Sequence, residues 1–208
     1  MAQLRHPANR TKQNMPENTD FTRLVSLACH DLRTPLATAG GFARTLTRTG
    51  ELADPASRYV EIIEEATAQM AELLDELGLA ARIEGDRYEP TIAEADTLEL
   101  ARVAAHRLGE DRVGVEGDGG TVRVDVEPTE RAVSALAQCA LRHGGLDHVT
   151  VAANGAEITV APITPASAPV VLGEDLRDLG AAVAGTLVRA LGGSLAVDGD
   201  TLRITLPS

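Results

Sequence analysis

From Asp20 onward the apolar positions recur with a helical period. Val25, Ala28, Leu32, Pro35, Ala39, Phe42 and Leu46 are spaced alternately by three and four, and Phe21, Leu24, Leu27 and Leu36 widen the stripe. The pattern predicts one long amphipathic helix with Asp20 as N-cap and Gly50 as its stop. Residues 1–19 show no such period and carry basic and amide side chains with two prolines, so a mobile leader is expected there. A second helix opens at Asp54 and Pro55, and the same spacing returns at Tyr59, Ile63, Ala66, Met70, Leu73, Leu77 and Ala80, closing near Gly85. Two long helices joined by a short loop form an antiparallel hairpin. Each stripe is wider than one partner helix can cover, so two hairpins are expected to pair into a four-helix bundle, making the protein a homodimer.

Beyond residue 85 the period becomes mixed. Leu98 to Leu108 reads as a helix, Val113 to Glu116 and Thr121 to Val126 as strands, and Thr129 to His143 as a helix behind Pro128. Val149 to Ala153 and Glu157 to Pro162 form an expected hairpin around Asn154-Gly155. A loop from Ile163 to Pro169 leads to a helix over about Glu174 to Leu191, and two strands, Ser194 to Val197 and Thr201 to Leu206, end the chain. The expected class is α+β: a helical hairpin over 20–84, then over 90–208 an α/β sandwich of five or six strands with three helices on one sheet face.

Composition narrows the function. Of 208 residues, 44% are apolar, and the formal charge is -12, which argues against a nucleic-acid backbone as partner. The acidity is concentrated in the second region, where residues 86–208 hold 10 basic and 19 acidic side chains. No run approaches the roughly 18 to 20 apolar residues of a membrane span, and the first twenty residues lack a signal-like apolar centre, so a cytoplasmic protein without membrane contact is expected. Cys29 and Cys139 stand far apart with no CxxC, and His143 and His148 read as isolated surface or capping residues; no metal site is expected.

The run Cys29-His30-Asp31-Leu32-Arg33-Thr34-Pro35-Leu36 carries the chemistry. With Val25, Ala28 and Leu32 on the apolar stripe, His30 falls at the outermost position of the helix, where packing does not require it. Thr34 lies one turn further along the same face. Pro35 cannot donate a hydrogen bond to the Asp31 carbonyl, and Gly40 and Gly41 weaken the helix by roughly 1 kcal/mol each relative to Ala, so a bend beyond His30 is expected. A neutral imidazole is a competent nucleophile near pH 7, and a carboxylate holding its other N–H sharpens it.

Residues His30 to Leu36 closely resemble the H-box of bacterial sensor histidine kinases, H-[ED]-L-R-T-P-L, at all seven positions, and Gly41-Phe42 resembles the Gly-aromatic pair that follows it. The resemblance implies that His30 accepts the phosphoryl group, that Asp31 orients or polarises its imidazole, and that Thr34 positions water for dephosphorylation. The receiver domain of a response regulator is the implied partner, docking around His30 with Arg33 and Arg44 as contacts.

The second region resembles the kinase ATP-binding domain in element order and in its closing segment, Leu187 to Leu195 and Ile204 to Pro207, but departs from it at the nucleotide boxes. In the family pattern N-L-L-x-N-A-x-[KR]-[HY] the two Asn positions are Ala135 and Cys139. The D-x-G-x-G that reads adenine is replaced by Ala161-Pro162-Ile163-Thr164-Pro165-Ala166-Ser167. The phosphate-wrapping G-x-G-L is Asp178-Leu179-Gly180-Ala181, which sets a carboxylate against polyphosphate. The expectation is a pseudo-ATPase domain that binds no cofactor, with Mg²⁺ supplied by the receiver. The chain then resembles the dimeric histidine phosphotransferases that shuttle a phosphoryl group between receiver aspartates. The alternatives are a sensor histidine kinase with a divergent ATP site and a non-catalytic regulator that binds receivers or kinases.

Overall fold

The computed structural model describes residues 15–50 and 52–208. Helix α1 (Met15–Thr49) and helix α2 (Ala56–Glu84) form the hairpin. α1 begins at Met15, so Asp20 lies within the helix and does not cap it; the rest of the expected leader lies outside the described residues. Gly50 ends α1 at φ +65°, a left-handed turn that suits glycine. Pro55, expected at the first helical position, stands at the N-cap of α2, and no side chain caps that end.

Small and polar side chains outnumber the larger aliphatic ones, Val60, Leu36 and Leu74, at the positions that face each other across the hairpin. Along α1 the positions turned inward are Thr22, Ser26, Cys29, Arg33, Leu36, Gly40 and Ala43; along α2 they are Val60, Glu64, Thr67, Ala71, Leu74, Gly78 and Ala81. Both sets keep the three-four spacing of a coiled-coil seam. Glycine at 40 and 78 lets the helices approach closely: a methyl group at Gly40 would lie 3.0 Å from Thr67 Oγ1, and one at Gly78 would lie 3.8 Å from Cys29 Cβ. The stripe picked out by periodicity is a second seam rotated away from the first. Leu24, Leu32, Phe42, Leu46, Tyr59, Ile63, Met70, Leu73 and Leu77 are all exposed in the single chain.

The second region contains β1 (Ile92–Asp96), α3 (Thr97–Leu108), β2 (Val113–Gly119), β3 (Thr121–Asp125), α4 (Val126–Gly144), β4 (Val149–Asn154), β5 (Glu157–Ala161), α5 (Ala168–Val171), α6 (Leu179–Ala190), β6 (Ser194–Asp198) and β7 (Thr201–Thr205). The class is the expected α+β, with seven strands where five or six were expected. β1 was not anticipated because its five residues, Ile-Ala-Glu-Ala-Asp, include two acids; it pairs antiparallel with β3 as a separate ribbon. The main sheet has the order β2-β4-β5-β7-β6, parallel only between β2 and β4. Its buried residues, Val113, Val149, Val151, Ile158, Val160, Leu202 and Ile204, meet Leu100, Leu136, Leu141 and Leu187 of α3, α4 and α6 in one core. Within the expected helix over 174–191, α6 starts only at Leu179, because Asp178 caps it by accepting a hydrogen bond from the Ala181 N–H at 3.1 Å.

The two regions are joined tightly. Leu79 of α2 belongs to the core of the second region. In the connection, Arg87 donates to Ser26 Oγ of α1 at 3.2 Å, while the Tyr88 hydroxyl donates to Asp125 at 2.8 Å. Among the described residues no helix is long and apolar enough to cross a membrane.

Candidate phosphoacceptor site

The inward seam passes through Cys29 and Arg33, so residue 30 must project from the flank of the hairpin. His30 and Thr34 are both exposed there, on one face of α1 a turn apart. Asp31 follows about 100° round the helix and is also exposed. Among the described residues neither His30 nor Asp31 has a side-chain hydrogen bond or ion pair, so the imidazole is open on both nitrogens. Pro35 lies inside an uninterrupted α1, and its missing N–H leaves the Asp31 carbonyl without a helical partner one turn from the imidazole.

Of the two arginines expected to meet a receiver, Arg44 is exposed. Arg33 instead turns into the hairpin, where its Nε donates to Asp75 Oδ1 at 2.9 Å. Its guanidinium is committed to α2, which the sequence alone does not reveal because Asp75 lies 42 residues away.

The boxes that depart from the nucleotide-binding pattern meet at the junction of α2, α4 and α6. Asp178, besides capping α6, accepts from His143 Nε2 at 3.1 Å and faces Arg142 at 3.4 Å. Cys139 is fully buried, and its thiol is pushed up to about 12, first by burial and then by the Asp178 charge. Glu76 of α2 reaches over Gly180; burial raises its carboxyl above the ordinary value, and the charges of Asp178 and Glu72 add to the effect. The cavity bounded by Glu76, Leu79, Ala135, Gly180 and their neighbours measures about 20 Å³, room for little more than one water.

At the segment that replaces the adenine box, the polar groups satisfy one another. The Thr164 N–H donates to Ser167 Oγ at 3.0 Å, and Ser167 is fully buried beneath the single turn of α5. His143, read singly in the sequence, thus belongs to a cluster with Cys139 and Asp178 that only tertiary folding assembles. His148 stands apart from it, beside Gly114 of β2.

A helical hairpin with an open histidine on its flank, docked to a sheet backed by helices on one face, is similar in architecture to the helical-hairpin and HATPase-like parts of histidine kinases. Residues 22–86 match the His Kinase A (phospho-acceptor) domain. It is 30% identical over 175 residues to the histidine protein kinase DivJ of Caulobacter vibrioides, a match covering 76% of this chain and 28% of that protein. The fold is similar to that of full-length ShkA solved with AMPPNP, at a TM-score of 0.64 and 18% identity over 90% of this chain and 46% of that one. It is also similar to the histidine kinase AdeS of Acinetobacter baumannii, at a TM-score of 0.51 and 16% identity over 86% of this chain and 98% of that one. The chain therefore spans less than a third of DivJ and less than half of ShkA.

Proposed function

We propose that this chain is a dimeric histidine phosphotransferase that carries a phosphoryl group on His30 between the aspartates of receiver domains, its second region serving as a docking and supporting wall without ATP. The observation that carries the reading is the junction of α2, α4 and α6. Asp178 holds its carboxylate at the position expected to wrap phosphate, where it is bound to His143 and to the α6 N-terminus. Glu76 leans in from α2 against Gly180, so a polyphosphate at this junction would meet the carboxyl groups of both Glu76 and Asp178. Cys139 offers a sulfur where the pattern expects a magnesium-binding amide, and magnesium prefers hard oxygen ligands.

In the transfer step, the lone pair of a His30 ring nitrogen forms an N–P bond as the acyl-phosphate P–O bond of the receiver breaks and the receiver carboxylate departs. The second ring nitrogen keeps its proton, which the Asp31 carboxylate stabilises once the docked partner excludes water from the flank. Exposure of His30 and freedom from internal partners allow in-line approach, and most of the acceleration comes from that positioning. The exposed seam is covered by a second copy, giving the four-helix bundle. The receiver meets the flank around His30 and Arg44.

A second reading, a histidine kinase with a divergent nucleotide site, is favoured by the 30% identity to DivJ. Two measurements on the full chain separate them. Incubation with receivers phosphorylated on aspartate should label the protein, and incubation with γ-labelled Mg·ATP should not. Calorimetry giving an ATP dissociation constant tighter than roughly 100 μM, about 5.5 kcal/mol of binding, would establish the kinase reading instead.

A further inference from the structure

We propose that Cys139, His143 and Asp178 form a binding site for one zinc-class divalent cation at the junction of α4 and α6. Cys139 and His143 stand at i and i+4 on one face of α4, the spacing that brings two donors to one ion. Asp178 completes the set from the start of α6, and one donor atom from each of the three lies within 4.8 Å of the others. A tetrahedral ion with bonds of about 2.0 to 2.3 Å holds its donors roughly 3.3 to 3.8 Å apart, so binding needs adjustments of about an ångström.

The donor chemistry selects the ion. Thiolate, imidazole and carboxylate together suit a borderline cation such as Zn²⁺ or Co²⁺ and not Mg²⁺ or Ca²⁺, which take oxygen donors. Three protein ligands leave the fourth position to water. Cys139 is 0% exposed and makes no hydrogen bond among the described residues, although its sulfur points at the cluster. The Asp178 carboxylate is held by the Ala181 N–H through Oδ1, which leaves Oδ2 directed at His143 Nε2. Arg142 also touches Oδ2 at 3.4 Å, but its side chain is 60% exposed and can withdraw into solvent.

Two of the three donors are departures from the nucleotide-binding pattern: Cys139 in place of Asn and Asp178 in place of Gly. The changes converge in space on a set of unlike ligands, whereas unconstrained loss of a nucleotide site would scatter them. Binding forms the Zn–S bond as the Cys139 thiol releases one proton to solvent; His143 loses its Nε2 proton to solvent and takes one up at Nδ1, and the Nε2 lone pair so freed forms the Zn–N bond in place of its hydrogen bond to Asp178. The ion then ties α4 to α6. This inference is independent of whether His30 takes its phosphoryl group from a receiver or from ATP.

The test uses the reduced, chelator-stripped 208-residue chain titrated with Co²⁺ and then Zn²⁺ against a competing chromophoric chelator. One ion per chain, a sulfur-to-cobalt charge-transfer band, its displacement by Zn²⁺, and a rise in Tm on loading are the expected results. Cys139→Ser should remove the charge-transfer band. His143→Gln and Asp178→Asn, the latter keeping the helix cap, should weaken binding by more than the roughly 10- to 100-fold that loss of an outer-shell partner costs. His148→Gln should leave affinity and spectrum unchanged. Circular dichroism on each variant establishes folding, and His143→Gln, at a half-buried position, keeps the test valid if Cys139→Ser does not fold. Absence of the charge-transfer band, or equal affinity in wild type, His143→Gln and Asp178→Asn, would overturn the site and assign any bound ion to scattered surface groups.

Discussion

Arg33, three residues beyond His30, is bonded across the hairpin to Asp75, with Nε and a terminal guanidinium nitrogen 2.9 and 2.8 Å from the same carboxylate oxygen. The other oxygen of Asp75 lies 3.9 Å from Arg131 on α4. The helix that carries the histidine is thus linked through one carboxylate to the second region. Among the described residues Asp75 is the acid shared by the two arginines, Arg131 also facing Glu127 at 4.0 Å, so its loss removes the link between Arg33 and Arg131.

That arrangement predicts a measurable but small coupling. The side chains of Arg33 and Asp75 are 38% and 43% exposed, so a double-mutant cycle of Arg33→Ala and Asp75→Asn, read by denaturant unfolding, should give about 0.2 to 1 kcal/mol and shrink at high salt. It also separates the two arginines proposed to meet a receiver. Arg44→Glu should lower receiver affinity with Tm unchanged, whereas Arg33→Glu should lower both. A Tm for Arg33→Glu equal to that of wild type would show that the bridge does not form in solution.

Glu76 gives the molecule a pH dependence at the seam between its regions. Its folded carboxyl is raised above 4.5 chiefly by burial, then by Asp178 and Glu72, while Arg131 acts in the opposite direction. For a group raised on folding, the stabilisation is fully present below the unfolded value and is lost as pH rises through the folded value. Acidification from neutrality toward that range should therefore strengthen the packing of α2 against α4 and α6. Glu76→Gln should be more stable than wild type at pH 7 and should flatten this part of the Tm–pH curve. A variant with the wild-type profile would place the titration elsewhere.

Most of the fold was legible because it obeys local rules. The periods of three and four marked both long helices, Gly50 marked the turn, and Asn154-Gly155 marked the β4–β5 hairpin. What was not legible depended on contacts across long separations. The stripe from Val25 to Leu46 is real, but most of its large residues face outward from the chain, and the inward seam is built mainly from Thr, Ser, Cys, Gly and Ala with the charged Arg33 and Glu64, so that Leu36, Val60 and Leu74 do not make it stand out. Arg33 looked free because Asp75 belongs to another helix. His143 looked isolated because Asp178 arrives from a distant segment. β1 was hidden because two of its five residues are acids and its partner is β3. The candidate site was legible for the opposite reason: one turn of one helix contains His30, Asp31 and Thr34, all exposed.

The outward seam predicts the oligomer. Leu32 and Leu73 are 54% and 50% exposed in the single chain and line one groove of about 520 Å³ with Pro35, Met70 and Leu77. Covering each such side chain contributes roughly 1.5 to 3 kcal/mol, enough in sum for a constitutive dimer. Light scattering at micromolar concentration should report twice 21.8 kDa, and the double variant Leu32→Arg, Leu73→Arg should shift toward 21.8 kDa while keeping its helical circular dichroism. A wild-type monomer at that concentration would refute the four-helix arrangement.

The roles of the three residues on the flank of α1 can be ordered by substitution, because each is exposed and none supports the seam. His30→Gln should abolish labelling from a phosphorylated receiver with Tm and dimerisation intact, since the side chain that is removed packs against nothing in the chain. Asp31→Asn should slow transfer by up to about 10² to 10⁴ without abolishing it: the nucleophile remains, but the carboxylate that stabilises the charged imidazole is gone. Thr34→Ala should leave the rate of acquisition unchanged and lengthen the lifetime of phosphorylated His30, because its hydroxyl lies one turn from the reacting nitrogen and can act only on water. Rapid-quench labelling followed by a chase in unlabelled buffer reads acquisition and loss separately. Full labelling of His30→Gln, or equal slowing in all three variants, would mean that the exposed turn is not where the phosphoryl group is received.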